Sequence, residues 1–313
     1  TDHQTTKSNT KRVLTSRITS HLPPTPSSVR GEQLRGPGST RELGEHRSIN
    51  NTMTRIWTLL AVAAVLVVTI VDEGISKTLS PAEGLHVVQI GHRLSNGKIE
   101  PVCGGSYLGK NVVVLGAHCF NRNGKAPDTV RFRNAYGGST DLSISNFTLH
   151  YRYKPQFDYH NMAVAFLDRD PRSTIGNVKP ACVIKPHIKG SKSVQLIGLF
   201  GGQMDKVDLQ TVSSEKCHEY YNPNRKLRFG VLLCCFCARN SNLKNCTDQH
   251  SAPLQAIVTR SGKQVPFLIG HRSIGRACGT NTPAVYTRYG SYYEWLETVT
   301  GISLDEKDCI NRY

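Results

Sequence analysis

Short runs of β-branched and aromatic residues, separated by Gly, Pro and Asn, recur along the chain from Leu85 onward. Runs of this length and spacing predict an all-β barrel or sandwich. One segment, 292–299, instead has apolar residues three and four positions apart and therefore predicts a helix. The predicted strands are 87–90, 112–115, 130–132, 142–144, 194–197, 256–258 and 267–269.

The segment before this region has the layout of an export signal. Met53 precedes sixteen largely apolar residues, 56–71, which are followed by acidic and small residues up to Ser76. This pattern predicts a signal peptide over 53–76 and a mature domain over 77–313. Sixteen residues are fewer than the roughly 20 that cross a bilayer, so cleavage is favoured over a signal anchor and no stable membrane anchor is expected.

Residues 1–52 are polar and show no apolar periodicity. They are predicted to be a disordered leader, or sequence derived from an untranslated region ahead of the true start. The alternative, in which 56–71 is a signal anchor, makes 1–52 a cytosolic tail.

Composition favours a secreted, extracellular protein. A chain of 313 residues with 38% hydrophobic content can bury a sizeable core. All 10 cysteines lie from Cys103 onward, an even number in one region, which indicates disulfides formed in an oxidising compartment.

The chain is strongly basic, with a net charge of +16. After residue 76 there are 30 Lys and Arg against 17 Asp and Glu, so the predicted domain carries most of the excess. These cations are scattered apart from a short run at 225–228, and no aromatic residues alternate with them. A solvated basic surface is the favoured interpretation and a polyanion-binding patch is the alternative, whereas nucleic acid is excluded for an exported protein.

Several ordered motifs point to one family. Its members share a Cys-Gly-Gly-Ser motif, an Ala-His-Cys motif, an Asp-Ile-Ala-Leu-Leu strand, Val-x-Pro-x-Cys, and a closing Pro-Gly-Val-Tyr-Thr-Arg before a terminal helix. The corresponding segments here are Cys103–Ser106, Ala117–Cys119, Asn161–Leu167, Val178–Cys182 and Pro283–Arg288, with Trp295 in the helix. In these motifs, residues 85–300 resemble the trypsin-like serine proteases. The resemblance implies two six-stranded antiparallel barrels with a C-terminal helix.

The same resemblance assigns the catalytic positions, and two of the three are altered. His118 stands at the histidine position, Asn161 replaces the aspartate, and His250 replaces the serine. Serine hydrolysis needs a hydroxyl that a histidine activates while a carboxylate orients that histidine. The sequence therefore predicts a non-catalytic homologue, and rescue by the nearby Asp158 is disfavoured.

Other functional positions of the family also depart from its pattern. Lys244 stands where trypsin-like members carry the aspartate that binds basic substrates, and Gln249 replaces the aspartate that pairs with the activated N-terminus. No Ile-Val-Gly-Gly sequence occurs over residues 77–90. Ser251, next to His250, leaves open an alternative in which a divergent endopeptidase uses His118 and Ser251.

The resemblance implies the disulfides Cys103–Cys119 and Cys246–Cys278, and it pairs Cys217 with Cys234, Cys235 or Cys237. The remaining pairings stay open; a Cys182–Cys309 bond would attach the C-terminal extension to the barrel. Asn146 and Asn245 begin glycosylation sequons.

No metal or other cofactor is expected. Two alternatives are a zinc site at the Cys234–Cys237 cluster with His218, and a transition-metal site at His118 and His250 whose shell Asp248 or water completes. Disulfides are favoured for the first and a hydrogen-bonded histidine pair for the second.

Family knowledge implies that such homologues act as cofactors, decoys or scaffolds. The expected partners are extracellular proteins, namely active proteases or their substrates.

Overall fold

Two β-barrels account for most of the structure. The computed structural model describes residues 81–133, 138–185, 193–200, 203–240, 249–260, 262–275 and 280–312. All of these residues belong to one unit, Thr69–Tyr313. The predicted leader 1–52 and signal peptide 53–76 lie outside them, so those boundaries stay predictions.

Thirteen strands lie in the described residues. They are β1 Val87–Arg93, β2 Ile99–Gly109, β3 Val112–Leu115, β4 Thr129–Arg133, β5 Ser139–Leu149, β6 Ala163–Leu167, β7 Cys182–Val183, β8 Ser193–Phe200, β9 Gln203–Val212, β10 Cys235–Arg239, β11 Pro253–Arg260, β12 Lys263–Ile274 and β13 Ala284–Arg288. All seven strands predicted from the hydrophobic pattern lie within these elements, which confirms the all-β prediction.

The first barrel closes in the order β1-β2-β3-β6-β5-β4, and every neighbouring pair is antiparallel. The residues of strand β3 contribute alternately to two apolar clusters. Val113 and Leu115 point into the barrel core, whereas Val112 and Val114 join a second apolar cluster outside it. Successive side chains of a strand face opposite sides, so a four-residue apolar run can serve both.

The second barrel runs β11-β8-β9-β10-β13-β12 and is closed by antiparallel pairing of β11 with β12. Strand β7 adds outside this ring, parallel to β12. The barrel core includes Leu196, Leu209, Phe236, Leu254 and Tyr286. The predicted pair of six-stranded antiparallel barrels is therefore confirmed.

Short helices complete the described part. The α-helices are α1 Pro81–Gly84, α2 Ser214–Tyr221, α3 Tyr293–Thr300 and α4 Glu306–Asn311, and the 3-10 helices are Ala117–Gly124, Pro171–Ser173, Arg225–Leu227 and Tyr289–Tyr292. Helix α3 matches the predicted terminal helix and ends at Gly301 in the left-handed conformation, with φ of 60°. Its Leu296 packs in one apolar cluster with Val112 and Val114 of the first barrel and Leu268 of the second.

Three disulfides lie in the described residues. Cys103–Cys119 joins β2 to the 3-10 helix after β3, Cys217–Cys237 joins α2 to β10, and Cys182–Cys309 joins β7 to α4. The structure thus selects Cys237 as the partner of Cys217 and attaches the C-terminal extension through Cys182.

Candidate functional site

His118 lies on the 3-10 helix Ala117–Gly124, directly after β3. The Cys103–Cys119 disulfide holds the start of this helix against β2. A Cβ on Gly116 would lie 2.7 Å from Nδ1 of His118 and 3.0 Å from Nε2 of His271. Because glycine has no side chain, the imidazole rings of His118 and His271 can both pack against the backbone at residue 116.

Asn161 is fully buried and contacts His118 twice. Its Oδ1 accepts a hydrogen bond of 2.9 Å from the backbone N–H of His118. Its Nδ2 lies 2.7 Å from Nδ1 of His118 and also donates to Oγ of Ser273. Because a backbone N–H can only donate, the carbonyl side of the amide must face it, and the NH₂ group must face the imidazole.

This orientation sets the tautomer of His118. An amide NH₂ only donates, so Nδ1 of His118 must accept, and the single proton of the neutral ring then resides on Nε2. A general base in this fold uses Nε2 to take the proton of the nucleophile, with Nδ1–H held by a carboxylate. The observed contact gives the opposite tautomer, in which Nε2 is already protonated.

Asp158 brings a carboxyl group next to this network. It is buried, burial raises its pKa, and a hydrogen bond from Ser273 partly opposes that rise. Ser273 therefore lies between the Asp158 carboxyl and the Asn161 amide. Sequence reasoning missed Ser273, because nothing in the local sequence shows that β12 passes beside residues more than a hundred positions earlier.

His250 faces His118 across the cleft. Their ring centroids are 5.7 Å apart and the rings are inclined by 68°, an edge-to-face contact. The backbone carbonyl of His250 accepts a hydrogen bond from Gly104 N–H at 2.8 Å. Both rings line a cleft of about 340 Å³ together with Asp158, Lys226 and Ser273.

Ser251, the alternative nucleophile, is fully buried. Its backbone has φ of 56°, a left-handed conformation that non-glycine residues seldom adopt. Its Oγ accepts a hydrogen bond of 2.8 Å from Gly116 N–H, and its own N–H donates to the carbonyl of Arg272. The Ser251 hydroxyl therefore links the second barrel to Gly116, the residue directly after β3 of the first barrel.

His271 is a third histidine behind the cleft. It is fully buried and hydrogen-bonds through Nδ1 to the Tyr289 hydroxyl at 3.1 Å. Burial, with the nearby charge of His118, lowers its pKa to about 3. The ring is therefore neutral at physiological pH and packs as part of the core.

Several predicted site residues lie outside the described residues: Lys244, Asn245, Cys246 and Cys278. The pocket position, the second sequon and the Cys246–Cys278 pair thus stay predictions. Asn146 is described, lies on β5 and is exposed, so its sequon is accessible to a glycan.

One group in the described residues has donor atoms spaced for a metal ion: Cys103, His118 and Cys119. The two sulfurs are joined in a disulfide and lack the thiolate charge that ligates a metal. These three residues therefore do not support a metal site.

Two closed barrels, with His118 contributed by the first and His250 and Ser273 by the second, define a protein with the trypsin-like serine-protease fold. Residues 80–296 match the protein-family model described as Trypsin. The chain belongs to the trypsin family.

Several relatives are named serine proteases. The chain is 29% identical over 213 residues to "Serine protease snk" of Drosophila melanogaster, covering 63% of this chain and 48% of that protein. It is 23% identical over 242 residues to "CLIP domain-containing serine protease C9" of Anopheles gambiae, covering 70% and 66%. The chain thus spans about half to two thirds of the length of these relatives.

The fold also matches a solved structure, "Crystal structure of drosophila Grass clip serine protease of Toll pathway". The TM-score is 0.60 at 17% identity, over 74% of this chain and 73% of that one. Within the described residues, no helix has the length and apolar character needed to span a membrane.

Proposed function

We propose that this chain is a secreted, catalytically inactive trypsin-family homologue that acts as a binding partner, cofactor or regulator in an extracellular protease network. One observation carries the inactivity: the Asn161 amide donates to Nδ1 of His118. Because Nδ1 accepts this hydrogen bond, the proton of the neutral ring is on Nε2, the nitrogen that would have to act as the base. An Asp-to-Asn change of this kind lowers turnover by about 10⁴ in serine proteases.

The residue at the nucleophile position adds a second, independent defect. His250 carries an imidazole where the family has a hydroxyl, and it packs edge-to-face on His118. No acyl-enzyme of the serine type can form there, since the reaction needs a serine oxygen within reach of the base.

The alternative endopeptidase would use Ser251 as its nucleophile. The surroundings of Ser251 favour the proposal that the protein is catalytically inactive. A nucleophile must be open to substrate, whereas Ser251 is fully buried and its Oγ accepts the Gly116 N–H. Releasing the hydroxyl would leave that buried N–H unpaired, at a cost of about 1–3 kcal/mol.

The names of the relatives support the proposed setting. Serine proteases such as snk of Drosophila melanogaster and the clip-domain protease of Anopheles gambiae share this domain. A homologue that keeps the two barrels and the cleft, but not the reaction, can occupy protease-binding surfaces without cleaving what it binds.

The polyanion-binding alternative stays a prediction. Arg225, Lys226 and Arg228 of the basic run are exposed on the 3-10 helix Arg225–Leu227 and the residue after it. Retention on heparin that declines with salt would be its signature.

The secreted protein is expected to take no fluorophosphonate label and to cleave neither peptide esters nor protein substrates. The reason is the combined loss of the carboxylate at Asn161 and the hydroxyl at His250. Labelling is followed by gel fluorescence, with active trypsin as the positive control. Labelling that disappears in Ser251→Ala would establish the divergent endopeptidase instead.

The regulatory part has its own test. The purified chain is added to an active insect serine protease and its protein substrate, and the cleavage rate is measured. A changed rate that persists in Ser251→Ala supports a role as cofactor or inhibitor. An unchanged rate across the proteases of the native fluid contradicts it.

Expression from Met53 in a secretory cell is expected to yield a soluble chain that begins near Ile75 to Lys77 and carries a glycan on Asn146. N-terminal sequencing and the mobility shift after deglycosylation measure the two features. Asn146→Gln is the matched control and should remove that shift if Asn245 is unmodified. Recovery of the chain in the membrane fraction, with residues 56–71 retained, would show a signal anchor.

A further inference from the structure

Two cysteines of the described residues are in no disulfide. Cys234 and Cys235 are free thiols, adjacent in sequence, with their sulfurs 3.2 Å apart. The other six described cysteines form the three disulfides given above. A thiol pair in a protein made under oxidising conditions is unusual, because such thiols normally pair during export.

The two thiols differ in access. Cys235 begins β10 and is 2% exposed, whereas Cys234 is partly exposed and lines a cavity of about 560 Å³. An incoming reagent therefore meets Cys234 first, and Cys235 lies behind it at a distance at which the two sulfurs can react.

The surroundings of Cys234 stabilise its thiolate. Hydrogen bonds from the Cys235 thiol, the backbone of His160 and the Tyr292 hydroxyl lower the pKa of Cys234 to about 7, against the desolvation that opposes them. The pKa of Cys235 is raised, first by its hydrogen bond to Cys234 and then by burial. The exposed sulfur is thus the nucleophile and the buried one remains a protonated thiol.

The cavity walls favour a small anionic molecule. His150, His160, Tyr292 and Trp295 give aromatic contact, and Arg152 and Lys185 add cations to the lining. Lys185 also forms an ion pair with Asp305, with 2.8 Å between Nζ and Oδ2. Glu294 lines the cavity as well and adds one negative charge. A cavity of about 560 Å³ is in the range of small-molecule sites, and a small thiol compound with carboxylates, such as glutathione, has the charge that Arg152 and Lys185 attract.

We propose that Cys234 and Cys235 form a redox-active dithiol site that exchanges with low-molecular-weight anionic disulfides of the glutathione class. The Cys234 thiolate attacks one sulfur of the small disulfide, whose S–S bond breaks and releases one thiolate. Cys235 then gives its proton to that thiolate, which leaves as a thiol, and attacks the Cys234 sulfur. The second small molecule departs as a thiolate and takes a proton from solvent. Two protein thiols are oxidised to one disulfide, and one small disulfide is reduced to two thiols.

The resulting bond is reversible for a geometric reason. Consecutive Cα atoms lie about 3.8 Å apart, below the roughly 4.4–6.8 Å that unstrained disulfides span. A strained disulfide is reduced more easily than structural ones. Mild reductant should therefore reopen the pair while Cys103–Cys119, Cys182–Cys309 and Cys217–Cys237 remain closed.

The test uses the full secreted protein, reduced mildly and then exposed to oxidised glutathione. Free thiols are trapped with iodoacetamide at intervals, and the chain is mapped by mass spectrometry. Cys234 and Cys235 should lose alkylation together and regain it with reduced glutathione. Failure of the native protein to react, while an unfolded sample does, would overturn the proposal.

Three variants assign the roles. Cys235→Ser should accumulate one glutathione on Cys234, because no thiol resolves the mixed disulfide, whereas Cys234→Ser should react at least about 10-fold more slowly. Tyr292→Phe removes one donor and should shift the pH midpoint of Cys234 alkylation upward. Equal reaction rates in both cysteine variants would contradict the division of roles, and isolation of Cys234 or Cys235 disulfide-bonded to Cys246 or Cys278 would overturn the site itself.

Discussion

The double variant His250→Ser/Asn161→Asp is expected to remain at least about 10²-fold below an active family member in peptide-ester hydrolysis. The two substitutions restore the hydroxyl and the carboxylate, but the backbone donors for the developing oxyanion also have to be assembled, and losing one such donor costs about 10²–10³ in turnover. Gln249 cannot form the ion pair that orders this loop in activated members, and Ser251 holds the turn through its bond to Gly116 N–H.

The matched control is His250→Ala/Asn161→Asp, which has the carboxylate and lacks the hydroxyl. Catalytic groups that act as a unit are strongly non-additive, so the two double variants should hydrolyse the ester at nearly equal rates. Adding Ser251→Gly and Gln249→Asp should raise the rate only in the series that carries Ser at 250. An ordinary protease rate in the simple double variant would show that two side chains alone separate this chain from an enzyme.

Replacing both Cys182 and Cys309 with alanine is expected to lower the free energy of unfolding by about 5 kcal/mol. This disulfide closes a separation of 127 residues, and the chain-entropy relation gives about that figure for a loop of such length. Both cysteines are buried in one cluster with Val265 and Phe267, so α4 should also detach from the second barrel. Urea unfolding measures the loss.

The comparison pair is Cys217→Ala/Cys237→Ala, which opens a separation of 20 residues. The same relation gives about 3 kcal/mol for it, so the long-range pair should cost about 2 kcal/mol more. Its cysteines are equally buried, which makes the loss of packing comparable. A larger effect from the short-range pair would mean that local packing, rather than loop closure, sets the stability of this domain.

The hydrophobic pattern predicted the strands well because each strand must bury one or both faces, and that requirement is local. Val112–Leu115 is an example, since all four residues are buried and all four are apolar. Helix α2 was not predicted. Its first turn is polar, and its cap depends on the Ser213 hydroxyl accepting from Lys216 N–H.

The sequence by itself determined the family resemblance and, from motif order, the prediction that His118, Asn161 and His250 occupy the catalytic positions. Only the tertiary structure decided which contacts those residues make. The direction of the Asn161 amide depends on contacts with residues 43 and 112 positions away, and the hydroxyl of Ser251 is held by Gly116 N–H in the other barrel. The choice of Cys237 for Cys217 leaves two adjacent thiols, of which Cys234 lines a cavity and Cys235 is buried behind it. Hydrogen bonds and disulfides act over a few ångströms, so their partners are set by how distant strands pack, which no local pattern records.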